Sequence, residues 1–187
     1  MSLRIYGNRP LKTLSGQDTR PTPARVREAL FNIWQGEVDG CRWLDLCSGS
    51  GSMAAEALCR GATLVVGIEQ SPRACAIIRD NWSQVATPDQ AFRLVRGNVL
   101  QKLPTLVGQT FDRIYVDPPY ASDLYEPIVK AIAQYNLLAP DGELSLEHAT
   151  NRWRPQEFST LVAAAAPLEL IRQKTYGNIS LAFFAHR

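Results

Sequence analysis

Short apolar runs alternate along this chain with stretches in which apolar residues recur every three or four positions. CRWLDL (41–46), TLVVGIE (63–69), FRLVRGN (92–98), FDRIYVD (111–117) and GELSLEHA (142–149) have the length and the β-rich character of strands. SMAAEALCRG (52–61), SPRACAIIRDNWSQV (71–85) and LYEPIVKAIAQYNLL (124–138) carry helical spacing between them. Alternation of this kind predicts a parallel sheet wrapped by helices, an α/β fold. Local signals agree. Ser71-Pro72 places an N-cap before a proline at the first helical position, and Gly61 stands where a C-cap glycine would end the preceding helix.

The two ends read differently. LELIRQKTYGNISLAFFAHR (168–187) holds two β-rich runs around YGN, a hairpin with a tight turn. LRIYGNRPLKTL (3–14) places Gly7-Asn8 between alternating residues, a second hairpin, and PARVREALFNIW (23–34) follows as an amphipathic helix. The 187 residues fit one domain, 1–187, with a basic arm over 1–22 and a core over 23–187. No apolar run reaches the ~18–20 residues that span a bilayer, and the N-terminus lacks a secretory h-region, so a cytoplasmic protein is expected. Cys41, Cys47, Cys59 and Cys75 form no C-x-x-C, and His148 and His186 have no ligand spacing around them, so neither a metal nor a disulfide is expected.

Charge adds a direction. The net charge is only +2, yet residues 1–27 hold Arg4, Arg9, Lys12, Arg20, Arg25 and Arg27 against Asp18 alone. A basic arm on a mildly acidic body suggests a polyanionic partner, although a solvated hairpin would look the same.

DLCSGSGSMAAE (45–56) follows the first core strand and opens a helix. Gly49, Gly51 and Ala54 satisfy the dinucleotide spacing G-x-G-x-x-G/A, and Glu69 ends the next strand. That fits a nicotinamide cofactor on spacing alone. However, Asp45, Glu69 and Asp117 all fall at the carboxyl edge of the sheet, where such folds bind ligands. A pyrophosphate would meet three like charges there, whereas the sulfonium and ammonium of S-adenosylmethionine would be attracted. The acidic rim favours the methyl donor. Glu69 would then accept from the ribose hydroxyls, Asp45 would face the cationic amino-acid moiety through a water, and Asn98 would hold the adenine amine with its side-chain carbonyl.

VDPPY (116–120) supplies a second chemistry. An exocyclic amine on a nucleobase is a poor nucleophile because its lone pair is delocalised into the ring. Acceptors fixed on both N–H bonds would localise that pair and aim it. The Asp117 carboxylate can supply one acceptor and the Pro118 carbonyl the other, stiffened by Pro119. Tyr120 offers a face for stacking an extruded base, worth ~1–3 kcal/mol.

DPPY resembles the signature of amino-group methyltransferases acting on nucleic-acid bases, and DLCSGSG with GIE resembles the class I methyltransferase fold. LRIYGNRPLKTL, RPTPARVREALFN, DLCSGSGSMAAEALCRGA, RGNVLQKL, VDPPY and KTYGNISLAFF together resemble the small bacterial 16S ribosomal RNA guanine-N2 methyltransferases across nearly the whole chain. Cys47-Ser48 stand where that family more often has Phe-Ala.

The resemblance implies a Rossmann-like, mostly parallel seven-stranded sheet, S-adenosylmethionine as cofactor, and ribosomal RNA, within a small-subunit particle, as partner. It also implies that the Arg20-Pro21-Thr22 loop lies near the donor and that the N-terminal hairpin extends the RNA surface. Expected donor contacts are Thr22, Asp45, Ser48, Gly49, Ser50, Gly51, Glu69, Gln70, Asn98, Val99 and Asp117. Expected catalytic residues are Asp117, Pro118, Pro119 and Tyr120. Arg4, Arg9, Lys12, Arg20, Arg25 and Arg27 would contact RNA. Methylation of another RNA guanine or of DNA adenine N6 uses the same motif, and a nicotinamide oxidoreductase remains the rival from a different class.

Overall fold

The structure is a computed structural model that describes residues 3–14 and 22–187. Leu3–Ile5 (β1) and Arg9–Leu11 (β2) pair antiparallel around the expected turn, with Gly7 and Asn8 both at positive φ. Ala24–Ile33 (α1) leads into the core. There Arg42–Leu46 (β3), Ser52–Cys59 (α2), Leu64–Glu69 (β4), Pro72–Val85 (α3) and Ala91–Arg96 (β5) alternate. Val99–Lys102 (α4), Phe111–Val116 (β6), Tyr125–Gln134 (α5), Leu138–Ala149 (β7), Pro155–Ala164 (α6), Glu169–Tyr176 (β8) and Ile179–Ala185 (β9) complete the chain.

Seven strands form one sheet in the order β5-β4-β3-β6-β7-β9-β8. Its first five strands are parallel, and β9 enters antiparallel between β7 and β8. Strand order reverses between β3 and β6, and such a switch point opens a crevice at the carboxyl ends of the strands. The expected parallel core and antiparallel terminal hairpin are both present.

Period-two side-chain alternation builds a core on each face. Trp43, Val65, Tyr115 and Phe183 face α1, α2 and α3 with Phe31, Trp34 and Trp82. Leu44, Val66, Ile114 and Phe184 face Leu103, Ile128, Ile132 and Leu161 on the other side. Trp43 stacks on Phe31 at 5.4 Å and meets Trp34 edge-on.

Two helix ends explain where the sequence periodicity stops. Gly61, at φ +97, ends the α2 turn, with Ala62 donating back to the Ala57 carbonyl at 3.0 Å. A Cβ there would stand 2.1 Å from Asp39 Oδ1. Asn136, at φ +50, does the same after α5, so the expected helix over 124–138 closes at Gln134 and Leu138 already pairs with Phe111. The sequence pattern does not predict the helices α4 and α6. VAAAA, at the end of α6, reads as compositional bias in the sequence alone.

The N-terminal hairpin is docked on the body. Ile5 and Leu11 are buried in the α1–α3 core, Arg9 donates to the Val85 carbonyl at 3.4 Å, and Lys12 pairs with Asp80 at 2.6 Å. Arg27 requires a correction. It is 2% exposed, bonds Glu56 at 2.5 Å and donates to the Arg4 carbonyl at 2.6 Å. It joins hairpin to helix and presents no surface to RNA. Arg4 and Arg25 are exposed, while Arg20 lies outside the described residues.

Candidate functional site

Three parallel strands deliver the site. Asp45 on β3 pairs in register with Gly67 of β4 and Tyr115 of β6. Asp117 follows β6 directly, and its backbone N–H donates to the Leu46 carbonyl at 3.2 Å. Thr22, Asp45, Ser48, Gly49, Ser50 and Asp117 line one narrow cleft of about 40 Å³ together with Tyr115. Six expected positions therefore converge.

The loop after β3 is held by backbone geometry. Cys47 sits at φ +64, a left-handed conformation uncommon for a residue with a Cβ and one found at functional turns. Cys47 and Ser48 N–H both donate to the Ile68 carbonyl, and the Ser48 hydroxyl donates to the Asp45 carbonyl at 2.9 Å. Gly49 faces open space. Gly51 has a different reason to lack a side chain: at φ +71, a Cβ would stand 2.7 Å from Trp82 Nε1. The indole N–H donates to the Gly51 carbonyl at 2.8 Å. Gly51 thus serves helix packing, and the expected close approach to a ligand falls to Gly49.

The carboxylates are unevenly satisfied. Glu69 accepts from the Gly49 N–H at 2.9 Å through Oε2 and from the Ser71 N–H at 2.8 Å through Oε1. Each oxygen keeps a lone-pair direction for a further donor such as a hydroxyl. Asp45, 1% exposed, accepts from the Ala54 N–H at 3.3 Å at the start of α2. Burial, with Glu69 adding repulsion, pushes its pKa up to about 7. Asp117 is raised well above the ordinary carboxylate range, first by burial, then by Glu147 and Asp45. Among the described residues, none that lines the cleft is cationic. A buried acid group with no counter-charge among the described residues suits a cationic ligand and opposes a pyrophosphate.

Several expected contacts lie elsewhere. The Asn98 side-chain carbonyl accepts from the Leu100 and Gln101 N–H groups at 3.0 and 3.4 Å, capping α4. The acceptor expected for an adenine amine is committed to that helix end. The Val99 side chain is 5% exposed within the core, so its expected donor contact falls to its backbone. Gln70 is exposed after β4. Gly51, Glu69, Gln70, Asn98 and Val99 do not line the cleft.

Around the prolines the structure adds tyrosines and an acid. The Tyr125 hydroxyl donates to the Pro118 carbonyl at 3.4 Å. Tyr120 is 38% exposed, and its hydroxyl donates to Glu147 Oε1 at 2.9 Å. The Tyr115 hydroxyl donates to Glu147 Oε2 and also meets Thr22 Oγ1 at 3.2 Å. Burial raises all three phenols' pKa values, so they stay protonated donors. Sequence reasoning missed Glu147, Tyr115 and Tyr125. The one signal for them was a carboxylate inside the apolar run LSLEHA.

Among known proteins, the Haemophilus influenzae protein named Ribosomal RNA small subunit methyltransferase D is 27% identical over 177 residues, covering 94% of this chain and 88% of the relative. The structure of Escherichia coli yhhF superposes with a TM-score of 0.83 at 26% identity, covering 100% of this chain and 99% of the other. The Streptococcus mutans protein SMU.776, solved complexed with SAH, shares the fold at 14% identity, with a TM-score of 0.67 over 86% of this chain and 48% of its own. Residues 3–185 match the family model described as Conserved hypothetical protein 95, and the chain belongs to that family.

Proposed function

We propose that this chain transfers a methyl group from S-adenosylmethionine to the exocyclic N2 amine of one guanine in small-subunit ribosomal RNA. The coarser part, methylation of ribosomal RNA, is what its relatives are named for, and a protein of the same fold is solved complexed with SAH. The observation that supports the finer part is Asp117, buried in the lining of an acidic cleft, with the Pro118 carbonyl next to it in the chain.

The donor supplies an electrophilic methyl on a sulfonium. Asp45 in the cleft, and Glu69 behind the Gly49 N–H that it accepts, would hold its cationic and ribose ends, and Gly49 lets the backbone come close. The guanine leaves its helix and enters beside Tyr120, the usual requirement for chemistry on a base. Asp117 and the Pro118 carbonyl each accept one N–H of the amine, so its lone pair points along the line of transfer. N2 forms a bond to the methyl carbon as the carbon–sulfur bond breaks. The amine then loses a proton, for which Asp117 is the nearest acceptor once a neighbouring positive charge has returned its pKa toward normal. Positioning and fixed electrostatics supply the acceleration. A cytoplasmic setting, with RNA phosphates met by Arg4, Arg9, Lys12 and Arg25, fits this substrate.

The test pairs calorimetry with transfer. S-adenosylmethionine should bind and NAD should not, and a labelled methyl should pass to small-subunit RNA and elute as N2-methylguanosine after digestion. Binding of NAD alone, or label on adenosine, refutes the reading.

A further inference from the structure

Glu147 stands near the end of β7, two residues beyond Ser145, the register partner of Tyr115. It is 1% exposed and receives two phenols at once, Tyr115 on Oε2 and Tyr120 on Oε1. Through the Thr22–Tyr115 contact the same carboxylate reaches the segment that enters α1 and lines the cleft. One side chain thus joins the donor side of the site, the strand carrying Asp117, and the loop carrying Tyr120.

The arrangement is costly for a fold and useful for a site. Taking a carboxylate out of water is unfavourable even when it is hydrogen-bonded, and this one also opposes the charge of Asp117. A glutamine would partner Tyr115 at lower cost, and a phenylalanine at 115 would need no partner. What the acid adds is direction for Tyr120. The two prolines fix the backbone before it but not its side-chain torsions, and its ring is partly open to solvent. The bond from its hydroxyl sets where that ring points.

We propose that Glu147 is a positioning residue for methyl transfer: through the Tyr120 hydroxyl it fixes the ring on which the acceptor base stacks, and through Tyr115 and Thr22 it ties that ring to the donor side of the cleft. This rests on the reading of the site as a nucleobase amino-methyltransferase. Glu147 touches neither base nor donor and acts only through the side chains it holds.

The test is a double-mutant cycle of Glu147→Gln and Tyr120→Phe, with small-subunit particles from cells lacking this chain as acceptor. All transferred methyl is counted, and the product nucleosides are separated. Each single variant should lose about tenfold in kcat with donor Kd within about twofold. The double variant should be no more than about twofold below the worse single, because the one carbonyl oxygen of the glutamine goes to Tyr115 and both changes then remove the bond from Tyr120 to the carboxylate. Losses that multiply in the double variant, or a Glu147→Gln kcat within about twofold of wild type, overturn the role. If Glu147→Gln does not fold, Tyr120→Phe decides alone, since it keeps the buried acid and must still lose the tenfold. Because the nucleosides are separated, label on a base other than guanine refutes the proposed substrate while leaving the comparison between variants intact.

Discussion

The Asp45 carboxylate accepts the Ala54 backbone N–H at 3.3 Å, so the first core strand and the start of α2 meet at an acid that is almost wholly buried. The helix N-terminus favours the charged form and burial opposes it more strongly, leaving Asp45 near pKa 7. A cationic donor would change this balance. Affinity for S-adenosylmethionine should rise as pH increases toward 7 and level off above it. Calorimetry near pH 7 in buffers of different ionisation enthalpy should register proton release. Affinity independent of pH between 5 and 8 would remove Asp45 from the donor site.

The raised pKa also has a sign for stability. Asp45 has a folded pKa above its unfolded value of 3.8, so folding favours its protonated form. The resulting loss of stability is absent below pH ~4 and grows until pH ~7, by about 1.4 kcal/mol for each pH unit in between. Asp45→Asn should therefore unfold at a higher temperature than wild type at pH 8, with little difference at pH 4, while binding the donor at least tenfold more weakly. Thermal melts at the two pH values check this.

Gly49 and Gly51 should respond differently to alanine. Gly51→Ala meets Trp82 at 2.7 Å as well as an unfavourable φ, and should cost about 2–4 kcal/mol of stability. Gly49→Ala has room for its methyl, so only its left-handed φ of +55 opposes it and it should cost about 1–2 kcal/mol, with its main effect on donor affinity. Denaturant titration separates the two.

The basic residues divide in the same way. Removing Arg4, Arg9 and Lys12 together should flatten the salt dependence of RNA binding by up to about one unit per lost phosphate contact. Arg27→Ala should instead lower stability by about 3–5 kcal/mol, because among the described residues it leaves the buried Glu56 with Arg60 alone as ion-pair partner. Its salt slope should stay that of wild type.

Features made by neighbours in the chain were legible in the sequence. The loop 47–51, the prolines and both hairpins each carry their geometry within a few residues. Contacts made by strand order were not. Glu147 and Tyr120 lie 27 positions apart, and only the β6–β7 pairing brings them together. Arg27 read as one more charge of a basic arm because its partner, Glu56, is on another helix. Asn98 shows a further limit: an asparagine after glycine is equally a helix cap and a ligand contact, and only the placement of Leu100 and Gln101 decides where its carbonyl goes.

The most direct measurement is mass-spectrometric mapping of small-subunit ribosomal RNA from cells deleted for this chain and complemented with wild type or with Asp117→Ala. One N2-methylguanosine should vanish on deletion, return with wild type and stay absent with Asp117→Ala, although that variant binds the donor within a few-fold of wild type. An unchanged set of methylated guanosines on deletion, or full restoration by Asp117→Ala, would contradict the account.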